Sequence, residues 1–423
     1  MKYDILIIGA GASGLMAMSR LLESGYSVCM LEANGQAGGR ISTLNKSFTI
    51  PVNEGAEFIH GTLPLTLKLL REAEIGFREL SGKMIGVTAG EWSMREHHDQ
   101  DWDLLLQKLK EQETDTTLEL FLEEHFHEDK FNDLTLAARR FAEGFDLADP
   151  IKLSVLSIKK EWLQEEQTQY RIQGGYGQLI DYIHSKCIMP GGKIVFNTSV
   201  TKIEYGKSAV TLYSSQGKVA EGSKVIVTAS VGILQKKFIR FAPVPVSHME
   251  AINQLGFGSV IKIILEFTHP FWMDKSDDIG FLLSDQRVPT WWTQLPLENN
   301  ILTGWIGGPQ AFATWETGGE VLLHEALISL SNIFSIPIPQ LSKMLLKHQI
   351  AYWTPEHPYT AGGYSYSTIY SEAAIEILNT PVLNTIYFAG EALCTGTSRG
   401  TVEAALESGQ YIADMIIAEE DKK

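Results

Sequence analysis

The sequence predicts an α/β fold made of two interleaved domains. Three observations carry this. The chain opens on a strand, a glycine loop, a helix and a second strand, Tyr3 to Leu31. Short strands with glycine turns recur between Lys193 and Thr228. Between them, Asp99 to Asp149 turns helical and acidic, with no glycine-turned strands. At 423 residues the chain can hold two or three domains and a large core.

The opening unit is the most informative stretch. Ile5-Leu6-Ile7-Ile8 is a short apolar run, as a buried parallel strand requires. Gly9-Ala10-Gly11-Ala12-Ser13-Gly14 follows without a gap, then a helix from Leu15 to Leu22. Gly9 allows a tight turn, Gly11 lets backbone approach a pyrophosphate, and Gly14 permits close helix–strand packing. Ser13 lies in the same loop, at the helix N-terminus whose free N–H groups attract phosphate. Glu32 ends the second strand, where an acid binds ribose hydroxyls. This order of elements points to a dinucleotide site. The alternative is a glycine-rich turn in a plain βαβ unit. Gly38-Gly39-Arg40 adds a second glycine pair and a cation. It resembles the extension found in FAD enzymes of the glutathione-reductase-like group, which implies FAD and a Rossmann domain of that type.

Composition narrows the partners. Lys plus Arg total 35 and Asp plus Glu 51, a net charge of −16 that argues against nucleic acid as main partner. It weakly suits a cationic substrate. Cys29, Cys187 and Cys394 form no framework or metal motif, so a reducing, cytoplasmic setting is expected. The first strand begins at residue 3, which leaves no room for a signal peptide, and no apolar run reaches spanning length, so no membrane association is expected.

Further along, Glu54-Gly55-Ala56-Glu57-Phe58-Ile59-His60-Gly61 has small residues that would let backbone lie against a flat ring. It resembles the E-x-G-A-x-W-I-H-G stretch of flavin-dependent polyamine and spermine oxidases. The resemblance makes Gly55, Ala56, Glu57 and Phe58 cofactor-side residues and puts His60 where an active-site histidine stands; His60 and Glu57 are also the expected contacts for a second amine of a polyamine, with Glu57 at the flavin as the alternative. A solvated loop histidine is the alternative. Thr62 to Ala73 reads as a helix and Met84 to Trp92 as a hairpin. In the acidic helical stretch, Leu118, Phe121, Leu122 and Phe126 share one face, as do Leu134, Ala138, Phe141 and Phe145. His125 and His127 there read as a solvated face rather than a metal site.

Gly174-Gly175 before a helix resembles the point where amine oxidases return to the FAD domain. The same resemblance gives Val200 a backbone contact to adenine. Lys262 sits inside an apolar strand, Val260 to Phe267, with Val260, Ile264 and Glu266 as face-mates. A lysine buried there without a partner would be costly. The segment Leu255 to Trp272 resembles the lysine-bearing strand of polyamine oxidases and flavin-dependent histone demethylases. In that family the lysine holds a water near flavin N5. An edge-strand lysine facing solvent is the alternative. Trp291, Trp292 and Trp305 fall in expected strands, with core packing as the first reading for Trp291 and Trp292. Glu320 to Phe334 and Gln340 to Gln349 read as helices.

The last quarter resembles the same family again. Trp353, Pro358, Gly362, Gly363 and Tyr364 match its W…P…G-x-Y stretch, with Tyr364 as one aromatic wall of the amine site. Ile386 to Glu391 reads as a strand ending in A-G-E, and Gly390 and Glu391 are expected at the flavin's hydroxyls. Ser398 to Val402 opens the final helix, whose N-terminus can face an electron-rich flavin edge through the backbone of Thr401 and Val402. Gly363 stands where monoamine oxidases have a flavin-linking cysteine, so FAD is expected to bind non-covalently; a link through Cys394 is the minor alternative. Thr401 replaces a second aromatic wall.

The resemblance spans nearly the whole chain. It implies residues 1–75, 170–245 and 350–423 as the FAD-binding domain, and 76–169 with 246–349 as an α+β substrate-binding domain. The expected activity is oxidation of a primary or secondary amine, polyamine or monoamine, to an imine, with dioxygen reduced to hydrogen peroxide. Lys262, Tyr364 and His60 are the expected catalytic residues. A FAD desaturase or porphyrinogen oxidase on an apolar substrate, and a non-catalytic flavin-binding module, are the competing readings.

Overall fold

Ile5 to Ile8 has no polar side chain, and the strand Lys2–Ile8 buries all four residues in the middle of a sheet. Both its neighbours are parallel: Val28–Leu31 on one side and Gly217–Val227 on the other. The sheet has eight strands, in the order Lys193–Val195, Val28–Leu31, Lys2–Ile8, Gly217–Val227, Ala209–Ser214, Lys202–Gly206, Arg240–Ala242, with Ile386–Phe388 paired to the far half of Gly217–Val227. The structure is a computed structural model and describes residues 2–94, 100–163, 168–396 and 398–420.

Helices cover both faces of this sheet, as parallel strands require. Ala12–Glu23, Gly177–Ile188 and Val402–Glu420 share one core with Ile5, Ile7 and Met30. Val246–Gln254 and Ser371–Leu378 contribute to the opposite core, with Leu6, Ile8 and Leu31. Gly9 has φ +104°, which closes the first turn, and a Cβ on Gly14 would lie 2.1 Å from the Gly9 carbonyl oxygen. Both glycines are therefore steric necessities.

The second sheet has seven strands, in the order Leu345–Trp353, Val260–Phe267, Ile301–Gly307, Thr290–Trp292, Ile279–Ser284, Lys83–Thr88, Glu91–Met94. The last two form the expected hairpin, turned at Ala89-Gly90. Val260–Phe267 is flanked on both sides and every residue in it is buried. Helix Gly319–Phe334 packs on one face of this sheet through Leu322, Ala326 and Leu330. The acidic stretch forms helices Gln100–Glu111, Leu118–His125 and Asn132–Gly144; Asp99, where it was expected to begin, lies outside the described residues.

Three expectations need correction. The helix expected at Gln340 to Gln349 ends at Met344, and Leu345–Trp353 is a strand. Its cause is long-range: Ala351 registers with Lys262, and pairing with the central strand overrides local helix propensity. That strand belongs entirely to the second sheet, so the sheet boundary falls after Trp353 rather than at 350. Finally, Leu134 and Ala138 are buried, but their expected face-mates Phe141 and Phe145 are exposed and stack on each other, 5.4 Å between centroids. They line a cavity, so the helix turns its last turns to a void rather than to core.

Candidate active site

A cavity of about 1720 Å³ lies between the two sheets and reaches the helical region. It exceeds the few hundred to about 1,000 Å³ of a drug-sized pocket, leaving room for a dinucleotide and a substrate together. The opening loop forms one end. Gly11 and Ser13 line the cavity, Gly11 has open space where a Cβ would stand, and the helix Ala12–Glu23 has no side-chain N-cap. The Ser13 hydroxyl is buried with no hydrogen-bond partner. Free N–H groups beside an orphan hydroxyl fit a phosphate group. Gly9 and Gly14 shape the turn beneath without lining the cavity.

Glu32 also lines the cavity. Its carboxylate accepts from the backbone N–H of Ala10 at 2.6 Å and of Asn34 at 2.7 Å. Burial raises its pKa, and those N–H groups hold it back. A carboxylate has about four lone-pair sites, so capacity for sugar hydroxyls remains. Gly39 and Arg40 follow on the wall. The Arg40 guanidinium donates to Glu391 Oε1 at 2.6 Å and to the Gly363 carbonyl at 2.9 Å. Ser365 donates to the other Glu391 oxygen at 2.5 Å. Each Glu391 oxygen thus has one protein partner, as each Glu32 oxygen does, and lone-pair capacity for a cofactor hydroxyl remains. Gly390, with φ +154°, starts this turn, a short 3-10 helix rather than the end of a strand.

The middle of the cavity is built from Glu54 to His60 and the lysine strand. Gly55 has no room for a side chain: a Cβ would lie 1.9 Å from the Arg40 carbonyl oxygen. Ala56 and Phe58 line the same wall. Trp353 donates to the Glu54 carbonyl at 2.8 Å and stacks on His357. Lys262 is 1% exposed, so the solvent-facing alternative fails. Its Nζ lies 2.5 Å from Glu57 Oε2 and 3.2 Å from the Gly55 carbonyl. Glu57 Oε1 in turn accepts from Arg171 Nε at 3.1 Å, from Trp292 Nε1 at 3.2 Å and from Gln294 at 3.4 Å. Burial lowers the Lys262 pKa and Glu57 opposes this. Burial raises the Glu57 carboxyl, but Lys262 and Arg171 outweigh it and the net shift is downward. On each partner the contact with the other opposes burial and favours the charged form.

His60 lies on this wall between Phe58 and Phe145, both edge-on to its ring. Its Nδ1 has no hydrogen-bond partner, and burial pushes its pKa down to about 4. The imidazole is neutral at physiological pH. Tyr364 donates to the Phe145 carbonyl; burial, then the charges of Asp146, Glu161 and Glu391, push its pKa well up. Thr401 is a cap: its hydroxyl accepts from Ala404 N–H at 3.2 Å and donates to the Ser398 carbonyl at 2.6 Å, starting Val402–Glu420. Thr401 and Val402 line the cavity.

Val200 is the outlier. It is buried with Leu6, Leu31 and Ile203 in the first sheet's core and does not line the cavity. Cys394 does not line it either; its thiol lies 3.3 Å from Glu407. No group of His, Cys, Asp and Glu among the described residues is arranged to hold a metal ion.

Sequence reasoning missed Arg171, Trp292 as a site residue, and the carboxyls Asp146 and Glu161. Asp146 is 9% exposed, lines the cavity, and its Oδ2 has no hydrogen-bond partner. Burial, then Glu161, raise its pKa well above that of an ordinary aspartate. Glu161 lines the same space and is reached by solvent through it.

The profile of the family described as "Flavin containing amine oxidoreductase" matches residues 12–417. The chain belongs to this family. Relatives include the Arabidopsis thaliana "Lysine-specific histone demethylase 1 homolog 3", 26% identical over 98% of this chain and 30% of its own length. Another is "Polyamine oxidase 4" of Oryza sativa subsp. japonica, 25% identical over 97% of this chain and 88% of its own. The chain spans only 30%, 57% and 53% of three of its demethylase relatives. Among solved structures, wild-type putrescine oxidase bound to putrescine superposes with TM-score 0.82 at 19% identity, covering 99% of both chains. Cyclohexylamine oxidase from Brevibacterium oxydans superposes with TM-score 0.81 at 22% identity over all of both chains. These two establish the two-sheet α/β architecture of this flavoprotein family member. The loop, the orphan hydroxyl and the cavity size fit the flavin that the family name specifies.

No described single helix is long and apolar enough to cross a membrane.

Proposed function

We propose that the protein is a FAD-dependent oxidase of amines that carry a second cationic centre, as diamines and polyamines do. One observation carries this reading. A single cavity runs from the phosphate-type loop at Gly11 and Ser13 to the buried carboxyl of Asp146 and its neighbour Glu161. One end suits a dinucleotide and the other an ammonium.

Gly11, Ser13, Glu32, Arg40 and the backbone at Thr401 and Val402 would hold FAD without a covalent link. When bound, the flavin supplies a two-electron acceptor that takes a hydride equivalent from the amine's α-carbon and returns the electrons to dioxygen, giving hydrogen peroxide. The chain's residues do the rest. Asp146 and Glu161 bind the distal ammonium and set the reach of the substrate. His60, neutral, offers a lone pair or an N–H to the reacting nitrogen without competing for its proton. Tyr364, Trp292 and Phe145 exclude water along the path. Lys262 keeps a fixed ammonium on the wall. The imine then hydrolyses to a carbonyl compound and an amine.

An apolar substrate, as in a desaturase, would leave Asp146 Oδ2 without a partner, which is costly. A purely structural flavoprotein gives the buried Lys262–Glu57 pair no task to offset its desolvation. The three cysteines are free and buried, which supports a reducing, cytoplasmic setting.

The test is peroxide release from purified protein with a monoamine, a diamine and a triamine of matched carbon chain. The reading expects KM to be lowest for the diamine or triamine, with Asp146→Asn erasing that preference. No peroxide from any amine would overturn it.

A further inference from the structure

The strand Val260–Phe267 places one lysine among seven neighbours that include a single other charge, Glu266, which is turned to Lys347 and Thr49 instead. Lys262 is thus held from outside its own strand. Its ammonium has three N–H groups. Two are taken, by Glu57 Oε2 at 2.5 Å and by the Gly55 carbonyl at 3.2 Å. The third is left for the cavity that Lys262 lines.

Glu57 is itself fixed on every side. It is 6% exposed and carries donors from Arg171, Trp292 and Gln294 on the oxygen that Lys262 does not use. Arg171 cannot follow a swinging carboxylate. Its guanidinium also donates to the Leu295 and Thr293 carbonyls and lies over the Phe58 ring at 5.1 Å. The Trp292 indole, besides binding Glu57, puts its ring 5.4 Å from the lysine Nζ. Three side chains therefore converge on one carboxylate oxygen, and the other oxygen meets the lysine. A buried ammonium without a counter-ion would shed its proton. An ammonium with a loose counter-ion would keep the proton but not its aim.

We propose that Glu57 is a positioning residue: it keeps Lys262 charged and aims one of its N–H groups into the cavity, while Arg171 clamps the carboxylate in place. This rests on Lys262 acting in the proposed oxidase, but the device itself is a property of the protein. It makes the cavity wall a permanent cation at pH values where an isolated buried lysine would be neutral.

The charges facing Lys262 assign opposite signs to two variants. Glu57 and, more weakly, Glu54 favour its charged form, whereas Arg171 opposes it. Glu57→Gln must therefore make Lys262 lose its proton at lower pH than in the native protein. Arg171→Gln must do the reverse. A residue that merely packs would move neither, or would move both in the same direction through loosened structure.

The experiment follows lysine side-chain resonances in protein labelled with ¹³C-lysine, with Lys262→Met assigning the signal, across a pH titration without added amine. The expected result is a lower midpoint for Glu57→Gln, a higher one for Arg171→Gln, and a midpoint near native for Glu57→Asp. Circular dichroism verifies folding, and if Glu57→Gln does not fold, Arg171→Gln still decides by its sign. A Lys262 midpoint unchanged in folded Glu57→Gln, or lowered in Arg171→Gln, would overturn the proposal. Peroxide release is the second readout: in Glu57→Gln the alkaline limb of the pH profile moves down, with about a tenfold loss on that limb. If the resonances shift as stated but no amine is oxidised, the positioning stands and the proposed function falls.

Discussion

Gly409 of the final helix rests on the backbone of Ser13, so closely that a Cβ would lie 2.1 Å from the Ser13 carbonyl oxygen. The last helix thereby presses on the first turn of the helix that the phosphate-type loop feeds. Segments about 400 residues apart thus meet behind Ser13, which lines the cavity. Gly409→Ala should destabilise the protein by about 1–3 kcal/mol, because backbone rather than a flexible side chain must yield. Urea unfolding measures this, and flavin content measures the accompanying loss at the loop. Wild-type values for both would show that the helices separate without consequence.

Glu403 joins the same helix to Pro64–Glu72. Its carboxylate, 1% exposed, accepts from the backbone N–H of Leu65 and of Thr66, each at 2.7 Å, and from the Thr66 hydroxyl at 2.6 Å. A side chain from one helix thus supplies the missing cap of another. Glu403→Ala should cost about 2–3 kcal/mol in urea unfolding, since buried donors lose their acceptor. Glu403→Gln should cost less.

Asp146 gives a pH signature. Burial and Glu161 raise its folded pKa. The folded state then holds the proton more tightly than the unfolded chain, so stability from this group is present at low pH and is lost as pH rises through the folded value. As pH rises above the unfolded aspartate value of about 3.9, native protein should lose stability more steeply than Asp146→Asn. Thermal unfolding of both, without amine, tests this. Parallel curves would mean that the carboxyl ionises as in an unfolded chain.

His60 acts in the other direction. Burial takes its pKa down to about 4, below the unfolded value near 6.5. The unfolded chain binds the proton first, so this histidine withdraws stability as pH falls through the window between those two values. His60→Gln should flatten that acid limb in thermal unfolding, and a His60 resonance titrating near 6.5 would contradict it.

Local signals told much of this story in advance. Gly9 to Gly14 and Glu32 occupy a strand–turn–helix–strand order that steric rules dictate over thirty residues, so they could be read directly. Lys262 was conspicuous because a charge inside Val260–Phe267 violates the strand's apolar pattern. Its partner was not, because Glu57 and Lys262 are 205 residues apart and meet only in the folded chain. Arg171 alternates between Tyr170 and Ile172 as any half-buried strand residue does, so it carried no local signal. Asp146 was hidden among many acids, and only the void beside Phe141 and Phe145 sets it apart. Leu345–Trp353 was misread for the same reason: its partner strand is some 85 residues away, and local propensity had nothing to register against.

The central claim is that this cavity lets an amine reduce a bound flavin, with the amine held at its far end by Asp146 and Glu161. The most direct measurement is the visible absorbance of the purified holoprotein under anaerobic conditions as a diamine is added. The account predicts that the oxidised-flavin band bleaches and returns on admitting air. It also predicts that Asp146→Asn needs far more diamine for the same rate. A band that stays unchanged with every diamine and polyamine tried would contradict the account.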